Sequence, residues 1–132
     1  MGTFMEPVGY FGEKEQFNSR SGMSIYVNKD RINVNYRSSK MYTRNVQGFF
    51  IPETDLFTSN YPLANSIHPD SFIDYRDSEC ERIHDFLLHL AIECAGTNAL
   101  SMTFEVKGDK EVYTLRDIAK YISAHIDFLH NH

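Results

Sequence analysis

One strongly apolar segment, Ser78 to Ala95, constrains the fold more than any other stretch of this sequence. Its apolar side chains recur at the spacing of one helix face, and others carry apolar character round to the flanks. They are Cys80, Ile83, Phe86, Leu87, Leu88, Leu90, Ala91, Ile92 and Cys94. Ser78 with Glu81 forms a capping-box pattern at the start, and Gly96 is a typical stop. A helix with so little polar surface needs cover on more than one side, so we expect it in the core.

Alternating side chains ahead of this helix predict β-structure. Met23–Asn28 and Arg31–Arg37 flank turn-forming residues, and in the second run apolar and polar side chains alternate, which predicts a β-hairpin. Met41–Ile51 predicts a third strand, in which Gly48 suggests a bulge or a close backbone approach. The first 22 residues give only a weak strand pattern. Three prolines between Pro52 and Asp70 predict a long irregular loop of the kind that often carries function.

The chain after the core helix predicts a second hairpin and a second helix. Leu100–Lys107 alternates, Gly108 supplies a turn, and Glu111–Thr114 returns. Thr114 and Asp117 form a capping box that starts the last helix. This order of elements predicts one α+β domain over residues 1–132, an antiparallel sheet of about five strands with both helices packed on one face. Two smaller sheets that sandwich the core helix are the alternative.

Length and composition favour a protein of the cytoplasm. The N-terminal residues lack the pattern of a secretory signal, and no apolar run approaches the roughly 20 residues that cross a bilayer. On one helix, Cys80 and Cys94 lie roughly 21 Å apart, so they cannot form a disulfide with each other. Free thiols are typical of a reducing compartment. We therefore expect cytoplasmic localisation and no membrane association.

The histidines and glycines form no complete cofactor or metal site. His84 and His89, like His125 and His130, are five positions apart, which points the two rings to different sides of a helix. The glycines frame no phosphate loop, dinucleotide fingerprint or nucleophile elbow. We expect no cofactor and no metal, and we expect Cys80, between two glutamates on an apolar stripe, to be an unreactive thiol.

One short pattern indicates a possible enzyme. Pro69-Asp70 followed by Glu105-Val106-Lys107 resembles the Pro-Asp…Glu-x-Lys pattern of the restriction-endonuclease-like nuclease superfamily. The resemblance implies that Asp70 and Glu105 hold a divalent ion while Lys107 orients the attacking water. It covers five residues and departs from the family, where the acid and the Glu-x-Lys strand are near neighbours in one sheet. Here a whole helix intervenes.

Charge is distributed unevenly along the chain. The net charge is −5, and residues 1–50 hold seven basic and four acidic side chains, a net +3, so residues 51–132 carry −8. Acidic side chains concentrate between positions 70 and 85, next to the apolar loop residues Tyr61 and Leu63. Such a surface can steer association with a basic protein. The candidate partner-binding residues are Asp70, Asp74, Asp77, Glu81, Asp85, Tyr61 and Leu63.

The N-terminal strands offer a contrasting surface. Basic and aromatic side chains interleave there, as on surfaces that bind single-stranded nucleic acid. The candidate nucleic-acid-binding residues are Arg31, Arg37, Lys40, Arg44, Tyr36 and Tyr42. A sequence pI near 5.6 argues against nucleic acid as the partner.

A compact acidic domain without a complete catalytic signature is most often a protein-binding module. We therefore expect an inhibitor, an immunity-type antidote or an adaptor that engages a basic protein through its acidic loop–helix surface, and not an enzyme. The metal-dependent nuclease with Asp70, Glu105 and Lys107 and the single-stranded nucleic-acid binder are the alternatives. The sequence leaves the oligomeric state open.

Overall fold

The computed structural model describes residues 5–13, 21–38, 44–53, 56–59, 79–96, 102–106 and 108–131. In this part of the chain, six strands form one antiparallel sheet in the order β5-β4-β3-β2-β1-β6, together with two helices. The elements are β1 (Glu6–Glu13), β2 (Gly22–Val27), β3 (Ile32–Ser38), β4 (Arg44–Ile51), β5 (Leu56–Ser59), α1 (Glu79–Ala95), β6 (Phe104–Glu105) and α2 (Leu115–His130). The predicted α+β fold is confirmed, and the alternative with two smaller sheets is wrong.

Strict alternation of burial gives the sheet one covered and one open face. In β3, Ile32, Val34, Tyr36 and Ser38 are buried while the residues between them are exposed. The same alternation continues through β2 and through β4 from Asn45 onwards. Helix α1 packs on β3 and β4 and against α2. The buried side chains of both helices and of the covered sheet face form one apolar cluster.

The two helices differ in how much of their surface is covered. Helix α1 is buried without interruption from Asp85 to Ala91, and the burial of its apolar residues is what the sequence predicts. It is followed by Gly96, whose φ of 71° is the left-handed conformation that glycine adopts at low cost. Helix α2 begins with the predicted capping box: the Thr114 side chain accepts from the Asp117 amide, and Asp117 accepts from the Thr114 amide. It buries one apolar stripe and exposes its other side.

Three local predictions need correction. Strand β5 lies within the segment 52–70 that was expected to be irregular, because its backbone pairs with β4 from Gly48 to Ile51. The register of β4 passes through Gly48 without a shift, and the bulge lies instead in β1, between Pro7 and Gly9. The second hairpin is short, since its pairing among the described residues reduces to Phe104 with Tyr113.

Candidate functional site

The open face of the sheet brings together side chains from four of the described strands. Pairing registers arrange its side chains in rows that cross four strands. One row is Pro7, Tyr26, Asn33 and Phe49, and the next is Tyr10, Ser24, Asn35 and Gln47. A third row is Gly12, Gly22, Arg37 and Asn45. We call these positions, together with Arg31 beside them, the open sheet face.

Two tyrosines stand out from this face. Tyr10 is 41% and Tyr26 is 42% exposed. The Tyr10 ring lies over two glycines, because a Cβ added to Gly22 would be 2.7 Å from the Tyr10 hydroxyl and one added to Gly12 would be 3.4 Å from its ring. The same Cβ on Gly22 would be 2.6 Å from the Phe11 carbonyl oxygen, and its φ of 157° also disfavours other residues. The glycine pair thus seats the Tyr10 ring against the backbone.

Arg31 is oriented over an aromatic ring of the open sheet face. Its guanidinium carbon lies 5.3 Å from the centre of the Phe49 ring, within the range of a cation–π contact. The turn before it is fixed by the side chain of Asn28, which accepts from the amides of Asp30 and Arg31 at 2.8 and 3.0 Å. The Arg31 guanidinium is therefore held at one end of the open sheet face by the turn that Asn28 fixes and by the Phe49 ring.

Charge is distributed asymmetrically across the open sheet face. Its positions on β1 to β4, as far as the structure describes them, carry Arg37 and no carboxylate, and Arg31 lies beside them in the turn before β3. Glu105 on β6 pairs with Gly12 and so continues the third row at the opposite edge. Three strand spacings separate it from Arg37, roughly 14 Å. The β3–β4 side of the face is cationic, and the β6 edge carries the acid.

The nucleic-acid hypothesis places its residues correctly only in part. Arg31 and Arg37 are exposed and lie at the open sheet face, as that hypothesis requires. Tyr36 is wrong: its side chain is fully buried beneath the sheet and is not available to stack on a base. Lys40, Tyr42 and the side chain of Arg44 lie outside the described residues.

The acidic-surface hypothesis is contradicted at one of its two residues in the described helix, Asp85. Asp85 is only 4% exposed, so it is wrong as a surface contact. Glu81 forms an ion pair with Arg116 of α2, which ties the start of α1 to the second helix. Glu79 likewise accepts a hydrogen bond from Ser123 at 3.1 Å. These two glutamates join the helices; Asp70, Asp74, Asp77, Tyr61 and Leu63 lie outside the described residues.

The nuclease pattern is represented by a single described residue. Glu105 is exposed on β6, whereas Asp70 and Lys107 lie outside the described residues, so the pattern stays a prediction. Among the residues that the structure describes, no three histidine, cysteine, aspartate or glutamate side chains come together as a metal site. Cys80 fits the expectation of an unreactive thiol, since burial and Glu81 raise the pKa of its thiol.

A buried polar cluster lies directly beneath the open sheet face. The Tyr36 hydroxyl donates to the carboxyl of Glu13 at 2.6 Å, and the Ser38 hydroxyl is 3.5 Å from the other Glu13 oxygen. Burial, reinforced by Glu13, holds the pKa of Tyr36 well above its usual value. The hydroxyl therefore stays protonated and donates. The cluster joins β1 to β3 across β2 and has no exposed member, so we assign it to the rigidity of the sheet.

Comparison of the chain with protein-family models, curated proteins and solved structures found no match. Within the described residues, no helix has the length and apolar character needed to span a bilayer. The candidate site therefore depends on its own geometry. Sequence reasoning missed Tyr10, Phe49 and the amide side chains of β3 and β4. The alternation of β3 was the available signal, because it places Asn33 and Asn35 opposite the core.

Proposed function

We propose that this protein is a non-catalytic protein-binding module and that the open sheet face is its binding surface. The composition of that face supports the proposal. Tyrosine and arginine are enriched in the centres of protein interfaces, whereas carboxylates are depleted. Tyrosine, serine, asparagine and glycine are also the residues that antibody combining sites use most. The open sheet face consists largely of these residue types from β1 to β4.

Rigidity is the second support. Each contributing backbone belongs to a strand of the sheet, apart from the turn that carries Arg31, and β2, β3 and β4 are paired on both sides. Binding to such a surface orders little main chain, so less of the contact energy is lost to conformational entropy. Beneath it, the buried Glu13–Tyr36 hydrogen bond and the core packing hold the strands in register.

Protein fits the open sheet face better than nucleic acid. The described part of the face offers two exposed arginines, Arg31 and Arg37, separated by neutral side chains. The exposed tyrosines of the described part of the face are Tyr10 and Tyr26, and Tyr10 is seated against the glycine pair. Sequence-tolerant binding of single strands uses a continuous basic groove with several stacking rings. Contact with a folded protein needs neither.

The acidic loop–helix surface that the sequence predicts is the second candidate for the binding surface. The expected contact of Asp70, Asp74, Asp77, Tyr61 and Leu63 with a basic protein stays a prediction. We place it second because Glu81 and Asp85 serve contacts within the fold. Inhibitor, immunity-type antidote and adaptor are all roles that a module of this kind can fill, and the expected cytoplasmic location is part of the same proposal.

Affinity capture with matched variants tests the proposed function. Wild-type protein, Tyr26→Ala, Asn35→Ala and the control Tyr121→Ala are immobilised and exposed to lysate of the source cells. Tyr121 is a comparably exposed tyrosine, 51%, on the helix side. We expect one protein to be retained by wild type and by the control and lost from both open-face variants. Melting curves first establish that all four proteins are folded.

Binding of the identified, purified protein is then measured by calorimetry. Tyr26→Ala is expected to weaken the affinity about tenfold or more, since a central aromatic anchor contributes more than 1 kcal/mol. Equal affinity for wild type and both open-face variants would refute the proposal. So would retention of nucleic acid in place of a protein.

A further inference from the structure

We infer that the partner presents carboxylates to the β3–β4 side of the open sheet face, where Arg31 and Arg37 receive them. This inference rests on the proposed function and names the chemistry of the partner. It starts from charge: the described positions of β1 to β4 on this face hold Arg37 and no acid, and Arg31 extends the face from the turn before β3. The acid of the face, Glu105, lies at the opposite edge.

The spacing of the two arginines defines what the partner must offer. They lie six positions apart along one extended segment, so their Cα atoms are roughly 20 Å apart. Arg31 is held over the Phe49 ring at 5.3 Å, which leaves the edge of the planar guanidinium to donate two parallel hydrogen bonds to a carboxylate. Between the two cations lie the neutral amides Asn33 and Asn35, both exposed.

This arrangement favours an acidic protein segment over a nucleic-acid strand. A nucleic-acid strand carries a phosphate at every nucleotide. Phosphates so closely spaced would lie over the neutral side chains of Asn33 and Asn35, which cannot neutralise them. An extended peptide with acids six positions apart instead places a carboxylate at each arginine. Its backbone and polar side chains then meet Asn33 and Asn35, which can both donate and accept hydrogen bonds. Glu105 repels an acidic segment from the β6 edge, and this repulsion favours the β3–β4 side of the face as the place where the segment binds.

A titration with defined peptides tests the inference. Isotope-labelled protein is followed by NMR as an extended peptide with glutamates six positions apart is added, and then its counterpart with glutamines. We expect amide shifts at residues 31–37 and 45–49 with the glutamate peptide, reduced several-fold by glutamine or by high salt. Equal shifts with both peptides would overturn the inference, as would tighter binding of a short oligothymidylate.

Charge variants make the test specific. Arg37→Glu is expected to abolish binding of the glutamate peptide, while Arg37→Lys keeps the charge and retains part of it. Lys120→Glu, an exposed cation on α2, is the matched control and should change nothing. Binding that survives Arg37→Glu would also overturn the inference.

The two proposals fail in different ways. If Tyr26→Ala no longer retains the captured protein but wild type does not respond to the glutamate peptide, the proposed carboxylate partner is refuted. The proposed binding module then still stands. Retention of that protein in Tyr26→Ala and in Asn35→Ala would remove the open sheet face as the binding surface.

Discussion

The hydrogen bond from Tyr36 to Glu13 permits a sharp test of what holds the sheet together. Tyr36→Phe removes one hydroxyl and leaves the ring, which packs edge-on against Phe104 with centroids 6.2 Å apart. The lost bond is 2.6 Å long, fully buried and directed to a carboxyl group. Removing the hydroxyl costs about 1–3 kcal/mol of stability, because the buried Glu13 carboxyl loses this hydrogen bond and water does not replace it.

The assay is denaturant unfolding of wild type, Tyr36→Phe and the matched control Tyr26→Phe. Tyr26 is the same residue type on the neighbouring strand, but its side chain is 42% exposed. Water replaces its hydroxyl contacts, so its loss should cost no more than about 0.5 kcal/mol. We expect a lower midpoint for Tyr36→Phe at unchanged slope. If both variants unfold at the same denaturant concentration, the buried hydrogen bond does not stabilise the sheet and the reasoning is refuted.

Three further predictions address the core, pH and the second surface. Leu90→Ala and Ile122→Ala should each cost about 2–5 kcal/mol, because both side chains are fully buried in packed helices; an unchanged denaturant midpoint would contradict this. Burial, with Arg116, lowers the pKa of His84 in the folded protein below its ordinary 6.5. The contribution of the neutral His84 to stability is therefore full above pH 6.5 and is lost as the pH falls through the folded pKa. His84→Gln should therefore flatten the melting temperature measured between about pH 7 and 5, and a profile as steep as wild type would exclude His84 as the cause. Replacing Asp74 and Asp77 by lysine should not slow association with the captured protein, whereas slower association at low salt would move the interface to the acidic segment.

Local sequence pattern was sufficient for the elements whose environment is simple. The β2–β3 hairpin follows from alternation and turn residues, and α2 follows from a capping box and one apolar stripe, because each has one buried and one exposed side. The same alternation already places Tyr36 with Ile32 and Val34 on the core face. Its assignment to a base-stacking surface disregarded that pattern.

Other features depend on tertiary contacts that no local pattern encodes. Asp85 looks like a surface acid, but α1 is covered on several sides, so a polar residue can be buried wherever the helix packs. Strand β5 has only four residues and is defined by pairing with β4, which local propensity does not reveal. The open sheet face combines residues from four strands. Its composition becomes visible only once the strand order is known.

The bulge in β1 has a consequence for solubility. Strand β6 pairs with β1 at Gly12 and Glu13, near one end of an eight-residue strand. Towards the other end, Pro7 has no amide hydrogen to donate, and the register shifts between Pro7 and Gly9. An incoming strand would meet an interrupted ladder there, which discourages edge-to-edge aggregation. Near Pro7 the sheet can thus present its open face for recognition beside an edge that is poorly suited to recruit further copies.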